Sequence, residues 1–300
     1  MVHASRNFRT GPVANGPVGV KAGLRTARAA PETTGDPRDH LGRLSSARPT
    51  VDLTLVVPFY NPGAGLHDYL GRVLQVLDDT GITYEVLAVS DGSTDGSESA
   101  ITDLLGDRCR LLTLPHNAGK GQAVRTGFLV GAGTYLGFID ADGDLPADLL
   151  ARFVERARSD RPEILLGSKR HPGSVVHYPP ARRFYSWGFQ LLVLGLFHLH
   201  VRDTQTGVKL IRRDVLATVL PLMREEGFAF DLELFVLARR YGFRRLVELP
   251  VVINQRFSST VSVRTAAQML VDTTRIFLRC HLTQVYDQPG PGQPGVGTGP

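Results

Sequence analysis

The sequence predicts an α/β protein, a mainly parallel sheet flanked by helices in a single domain with a disordered tail at each end. Three observations carry this. From residue 51 to 140, apolar runs of strand length alternate with segments of helical spacing, joined by short loops. The strands run into loops rich in Gly, Asp and Asn, as expected at the carboxyl edge of an open α/β sheet, where ligands bind. The composition, 42% hydrophobic and 21% charged over 300 residues, is that of a globular chain with ample core, which excludes disorder throughout.

Residues 1–48 are rich in Ala, Gly, Pro and Arg with no apolar period, and read as a disordered basic tail lacking the apolar segment of a secretory signal. The folded domain is expected over 49–285. Val51 to Pro58 is a first strand closed by proline. Leu66, Leu70, Val73, Leu74 and Leu77 give a helix ended by Gly81. Tyr84 to Ser90 and Arg110 to Leu114 are strands, Gln122 to Gly131 is a helix, and Thr134 to Ile139 is a strand running into Asp140-Ala141-Asp142. Pro146 to Ser159 is a helix with proline near its first turn, and Glu163 to Gly167 is another buried strand. Beyond it come a basic loop (Lys169, Arg170, His171), an apolar helix from Phe184 to about His198, and a polar turn, Asp203 to Gly207. A strand from Val208 to Ile211, a helix from Phe228 to Arg240, a strand from Val247 to Ile253 and a helix capped by Ser262 complete the domain. Residues 286–300 are a Pro/Gly tail, expected to be disordered.

Residues 1–50 carry eight Lys/Arg against three Asp/Glu, the whole of the net +5, so the other 250 residues balance at 26 of each sign. A neutral folded part argues against a nucleic-acid partner, which needs a basic face. Cys109 and Cys280 show no metal spacing and read as unpaired thiols in a reducing compartment. No apolar stretch reaches the roughly 18 residues of a membrane span. Phe189 to Phe197 suits a helix lying on a membrane surface or one packed in the core, so the expected location is cytoplasmic, peripheral to the cytoplasmic membrane face at most.

Asp140 and Asp142, two residues apart in an extended chain, project from one face and can share a hard cation; a solvated turn is the alternative. An EF-hand is excluded, because Leu145 and Ala151 stand where that loop needs glycine and glutamate. Asn117-Ala118-Gly119-Lys120-Gly121 is not a P-loop, since Leu114 replaces the first glycine, yet glycines around a lysine at a helix start can receive an anion. Asp91 closely follows a strand, where a carboxylate can accept hydrogen bonds from a ribose or a base, or cap a helix.

Together, Val57-Pro58-Phe59-Tyr60-Asn61, Ser90-Asp91-Gly92-Ser93-Thr94-Asp95, the Asn117 to Arg125 segment and Asp140-Ala141-Asp142 resemble the family 2 glycosyltransferases of the GT-A fold. Asp203-Thr204-Gln205-Thr206-Gly207-Val208-Lys209-Leu210 and Phe230-Asp231-Leu232-Glu233 resemble the dolichyl- and polyprenyl-phosphate sugar synthases within it. The resemblance implies an inverting, metal-dependent transfer of a hexose from a nucleotide sugar to a polyprenyl phosphate. It favours UDP-glucose as donor, with GDP- and other UDP-sugars open. It makes Pro58, Tyr60 and Asp91 nucleoside contacts and sets Lys120 near the nucleotide pocket. Asp140, Ala141 and Asp142 become the DXD motif, whose acids bind Mg2+ or Mn2+. Arg170, Arg182 and Ser186 become contacts for the lipid phosphate, and Ser258 to Ser262 a loop over the donor. A phosphate acceptor is already ionised near pH 7 and needs no strong base; a hydroxyl acceptor would need one, and Asp231 is the candidate, with helix capping as its alternative role. Two rivals remain: a soluble family 2 transferase acting on a polysaccharide or natural-product hydroxyl, and a non-catalytic nucleotide-sugar-binding protein.

Overall fold

Strand β1, Val51–Phe59, is the hub of the sheet, and its residues alternate between two cores. Val56 faces one buried cluster and Leu55 and Val57 the other, so β1 is covered on both sides from Leu53 onward, as in a parallel sheet flanked by helices. The structure is a computed structural model describing residues 44, 46–176, 180–199, 201–227, 229–253, 263–283 and 285–287; the side chains of 180–187, 263–266 and 287 are outside the description. The expected terminal tails fall almost entirely outside it, as do the Ser258 to Ser262 loop and its Ser262 cap.

In chain order the elements are β1, α1 (Gly65–Asp79), β2 (Tyr84–Ser90), the short α2 (Ser97–Ala100), β3 (Cys109–Thr113), α3 (Lys120–Val130), β4 (Gly133–Ile139), α4 (Leu149–Asp160) and β5 (Ile164–Ser168). Then follow α5 (Pro180–Phe197), β6 (Val208–Arg212), α6 (Arg213–Val219), α7 (Phe230–Arg240), β7 (Leu246–Pro250) and α8 (Val263–His281). The seven strands lie in the order β3-β2-β1-β4-β6-β5-β7. The chain steps outward from β1 to β3, then returns across β1 to β4. That reversal opens a crevice at the carboxyl ends of β1 and β4, where open α/β sheets take ligands.

The sheet is mainly parallel, as expected, with one reversal: β6 is antiparallel to both β4 and β5. Its register pairs Ile139 with Val208, so the Asp203 to Gly207 turn arrives beside the end of β4. The backbone closes this join, with Asp140 N–H donating to Gly207 O at 2.9 Å. Helix α6 was not anticipated; it begins directly after β6 and buries Val215, Leu216 and Val219. Helix α4 starts at Leu149 rather than Pro146, and α5 reaches back to Pro180.

Candidate active site

The loops leaving β1 and β2 are tied to each other. Asn61, at φ 47°, donates its N–H to Ser93 Oγ (3.1 Å) and accepts Thr94 N–H on Oδ1 (2.8 Å). Gly63 N–H donates to Asp95 Oδ2 at 2.8 Å. This double tie holds Tyr60 at the sheet edge with half its surface exposed, while Pro58 is buried within β1. Asp91 is buried and pins the third loop: Oδ1 accepts Ala118 N–H (2.7 Å) and Oδ2 accepts Gly119 N–H (2.9 Å). The contact is too close for a side chain at the next residue. A Cβ on Gly92, whose φ is +70°, would lie 2.6 Å from the carbonyl carbon of His116.

The third loop delivers Lys120 as the first residue of α3. Its Nζ lies 2.6 Å from Asp140 Oδ1 and 4.9 Å from the centre of the Phe138 ring. Burial pulls the Lys120 ammonium down, but the charges of Asp140 and Asp231 outweigh it and hold its pKa above the ordinary lysine value. Asp140 is walled in by Gly207, where a Cβ would fall 2.0 Å from Asp140 Oδ2. Asp142 is exposed on the loop and accepts Asp144 N–H on Oδ1 at 3.0 Å. Desolvation by the surrounding protein, then repulsion from Asp140, push its carboxyl above the usual carboxylate range. Tyr69 of α1, not singled out from sequence, feels the same two acids: burial first, then Asp140 and Asp142, drive its phenol pKa upward. Its hydroxyl donates to Leu145 O at 2.9 Å, fixing the loop that follows the acids.

Two hard carboxylates whose charges repel suit a divalent cation. Among the described residues no group of three or more His, Cys, Asp or Glu gathers around a metal position. Asp140 and Asp142 are the residues that could hold such an ion.

Asp231 opens α7, almost buried, with Oδ1 3.1 Å from the Nζ of fully buried Lys209. Lys209 also donates to Thr206 O (2.7 Å) and approaches the same Phe138 ring at 5.0 Å. Burial lowers its ammonium pKa, and Asp231 opposes that shift. Asp203 shapes the turn beneath by accepting Thr206 Oγ1–H (2.6 Å), Gln205 N–H (3.1 Å) and Lys169 N–H (3.1 Å). The sequence marks this turn but gives Lys209 no role; its one signal is a lysine inside an otherwise apolar strand. Glu233, by contrast, serves the scaffold. Oε2 accepts the N–H groups of Arg224 and Glu225 at 2.8 and 2.7 Å, and Oε1 accepts the Tyr286 hydroxyl.

The structure thus brings Lys120 and Lys209 over Phe138, paired with Asp140 and Asp231 respectively, with Asp91 holding the loop behind. Of the three candidates for a lipid phosphate, Arg170 sits half-buried in the turn after β5; Arg182 and Ser186 lie in α5, their side chains outside the description. Further along, α5 exposes Leu191, Leu192 and Leu194, and α8 exposes Leu270, Val271 and Leu278. On the last helix Ala267, Leu270, Thr274 and Leu278 are exposed, while Asp272, Thr273, Ile276 and Cys280 face inward. Phe197 and Phe277 join the two helices edge-to-face at 6.2 Å. Among the described residues, no helix is long and apolar enough to cross a membrane.

Residues 54–220 match the family model described as glycosyl transferase family 2. Among known proteins, the chain is 28% identical over 250 residues to a dolichyl-phosphate beta-glucosyltransferase of Trichomonas vaginalis, covering 78% of this chain and 74% of that protein. It is 34% identical over 208 residues to the dolichyl-phosphate beta-glucosyltransferase of Mus musculus, 64% of each. Among solved structures, glucosyl-3-phosphoglycerate synthase from Mycobacterium tuberculosis, in complex with Mn2+, UDP and phosphoglyceric acid, superposes with a TM-score of 0.60 at 16% identity. That likeness covers 79% of this chain and 82% of the other, and at such identity it establishes the fold.

Proposed function

The chain belongs to glycosyl transferase family 2, and we propose that it moves glucose from UDP-glucose to a polyprenyl phosphate of the dolichyl type, with inversion and with a divalent metal. The observation that carries this reading is the arrangement at the end of β4. Asp140 and Asp142 stand at the mouth of the crevice, with Lys120 2.6 Å from the first acid. The relatives named dolichyl-phosphate beta-glucosyltransferases support the acceptor and the sugar. The neighbour with Mn2+ and UDP supports the donor and the ion.

Breaking the bond from the sugar to a nucleoside diphosphate leaves growing negative charge on the diphosphate. A Mg2+ or Mn2+ ion held by Asp140 and Asp142 would supply neutralisation of that charge. The chain's own groups do the rest. Tyr60 and Pro58 border the nucleoside position, and Asp91 acts on it through the loop it pins. Lys120 offers a cation beside the diphosphate. Arg170, with Arg182 and Ser186 on α5, would hold the acceptor phosphate by charge-assisted hydrogen bonds. Because that phosphate is ionised, orientation suffices and Asp231 need not take a proton. The exposed leucines of α5 and α8 suit the prenyl chain or a membrane surface, so the protein would work as a peripheral enzyme.

The test is a donor and acceptor screen by release of nucleoside diphosphate. UDP release from UDP-glucose that requires a polyprenyl phosphate supports the proposal. Equal release with GDP-mannose, or turnover only with a hydroxyl acceptor, would reassign the substrate.

A further inference from the structure

Lys120 Nζ reaches Asp140 Oδ1 at 2.6 Å, and Asp140 is one of the two carboxylates that would hold the proposed metal. We propose that Lys120 is a built-in competitor for the divalent ion, so that metal binds poorly alone and well together with a nucleoside diphosphate. This rests on the metal reading above and adds its regulation.

The backbone that carries Lys120 is fixed from two sides. Asp91 grips Ala118 and Gly119, and Gln122 N–H donates to Glu226 O at 3.1 Å. A Cβ on Gly121 would lie 2.5 Å from that same Glu226 O, so the helix start is pressed against residue 226. The loop therefore does not swing away; only the lysine side chain can change partner. Of the other carboxylates acting on the ammonium, Asp231 is already paired with buried Lys209 at 3.1 Å, and Asp142 acts on it more weakly. Leaving Asp140 thus gains Lys120 little until another anion arrives. A diphosphate is such an anion. Its oxygens would take the ammonium, release Asp140 and complete the ion's shell in one event. Before that, a divalent ion on Asp140 would sit within a few ångströms of a positive charge. Repulsion at that range, in a half-buried cleft, is worth a factor of about ten or more in affinity.

The experiment titrates the full chain with Mn2+ alone, reading free Mn2+ by electron paramagnetic resonance, and repeats it with saturating UDP. Wild type, K120M and K120R are compared, with D142N as the control lacking one ligand. K120M should bind Mn2+ alone about tenfold or more tighter than wild type. K120R, which keeps the charge, should stay close to wild type. UDP should tighten Mn2+ binding far more in wild type than in K120M. K120Q provides a second neutral variant, with a polar end, for which the same tightening is expected. Equal Mn2+ affinity in wild type and both neutral variants, with D142N weakening it, overturns the competition and leaves the metal assignment standing. No Mn2+ binding in any variant, with or without UDP, overturns the metal assignment and this inference together.

Discussion

Lys209 Nζ lies 3.1 Å from Asp231 Oδ1 in the interior beneath the crevice, and Lys209 has no exposed surface at all. The pair joins the strand whose turn walls in Asp140 to the helix whose first turn faces Lys120. Charges of alternating sign, Asp140, Lys120, Asp231 and Lys209, follow one another here, and both lysines lie over the Phe138 ring. Removing one partner of a buried pair leaves a stranded charge. Lys209→Met should therefore destabilise the protein by ~3–5 kcal/mol in urea unfolding. The double variant Lys209→Met/Asp231→Leu should recover much of the loss, and no recovery would show that the pair is not the source.

Asp142→Asn should leave the fold unchanged, because Asp142 is exposed and, among the described residues, its side chain accepts a hydrogen bond only from Asp144 N–H. Metal-dependent transfer should fall by ~100-fold or more, the scale of losing a main source of charge stabilisation. Circular dichroism and turnover on the same sample check both halves. Unchanged turnover would remove the DXD assignment.

Gly207→Ala should move Asp140, since the added Cβ would lie 2.0 Å from its Oδ2 and the Asp140 N–H bond to Gly207 O prevents the backbone from yielding. The expected cost is ~1–3 kcal/mol of stability together with a loss of transfer at least comparable to that of a misplaced ligand, ~100-fold. A thermal melt and a kcat measurement separate the two effects.

Asp91→Ala leaves the N–H groups of Ala118 and Gly119 without their acceptor in a part-buried setting. The loop that presents Lys120 should loosen, at ~1–3 kcal/mol of stability. The KM for the nucleotide sugar should rise more than kcat falls. Steady-state kinetics with varied donor reads this directly.

Replacing Leu191, Leu192 and Leu194 together by Ser should abolish flotation with vesicles containing polyprenyl phosphate while leaving the melting temperature within a few degrees, because all three are already exposed. Retained flotation would move the lipid contact elsewhere.

Much of the fold was legible because its signals are local. The four strands β1 to β4 are apolar runs, and the Asp-Ala-Asp at the end of the fourth, with the Gly-Lys-Gly before α3, could be placed at one sheet edge by pattern alone. What could not be read was direction and partnership. An apolar strand such as β6 looks the same whichever way it runs, so its antiparallel course, and with it the meeting of Gly207 and Asp140, stayed hidden. Helix α6 has seven residues, too few to show a period distinct from the strand it follows. Lys209 and Asp231 are 22 residues apart on different elements, and only the packing of α7 against β6 unites them. Asp91 was placed at the edge, but its grip on the neighbouring loop depends on backbone amides, which carry no sequence signature.

The most direct test of the account is transfer of labelled glucose from UDP-glucose into the lipid phase by the full chain, with polyprenyl phosphate present, before and after EDTA. The account predicts a polyprenyl-phosphate-dependent, acid-labile glucolipid whose formation stops with EDTA and returns with Mg2+ or Mn2+. Label entering lipid at the same rate in EDTA, or never entering lipid while a soluble acceptor is glucosylated, would contradict it.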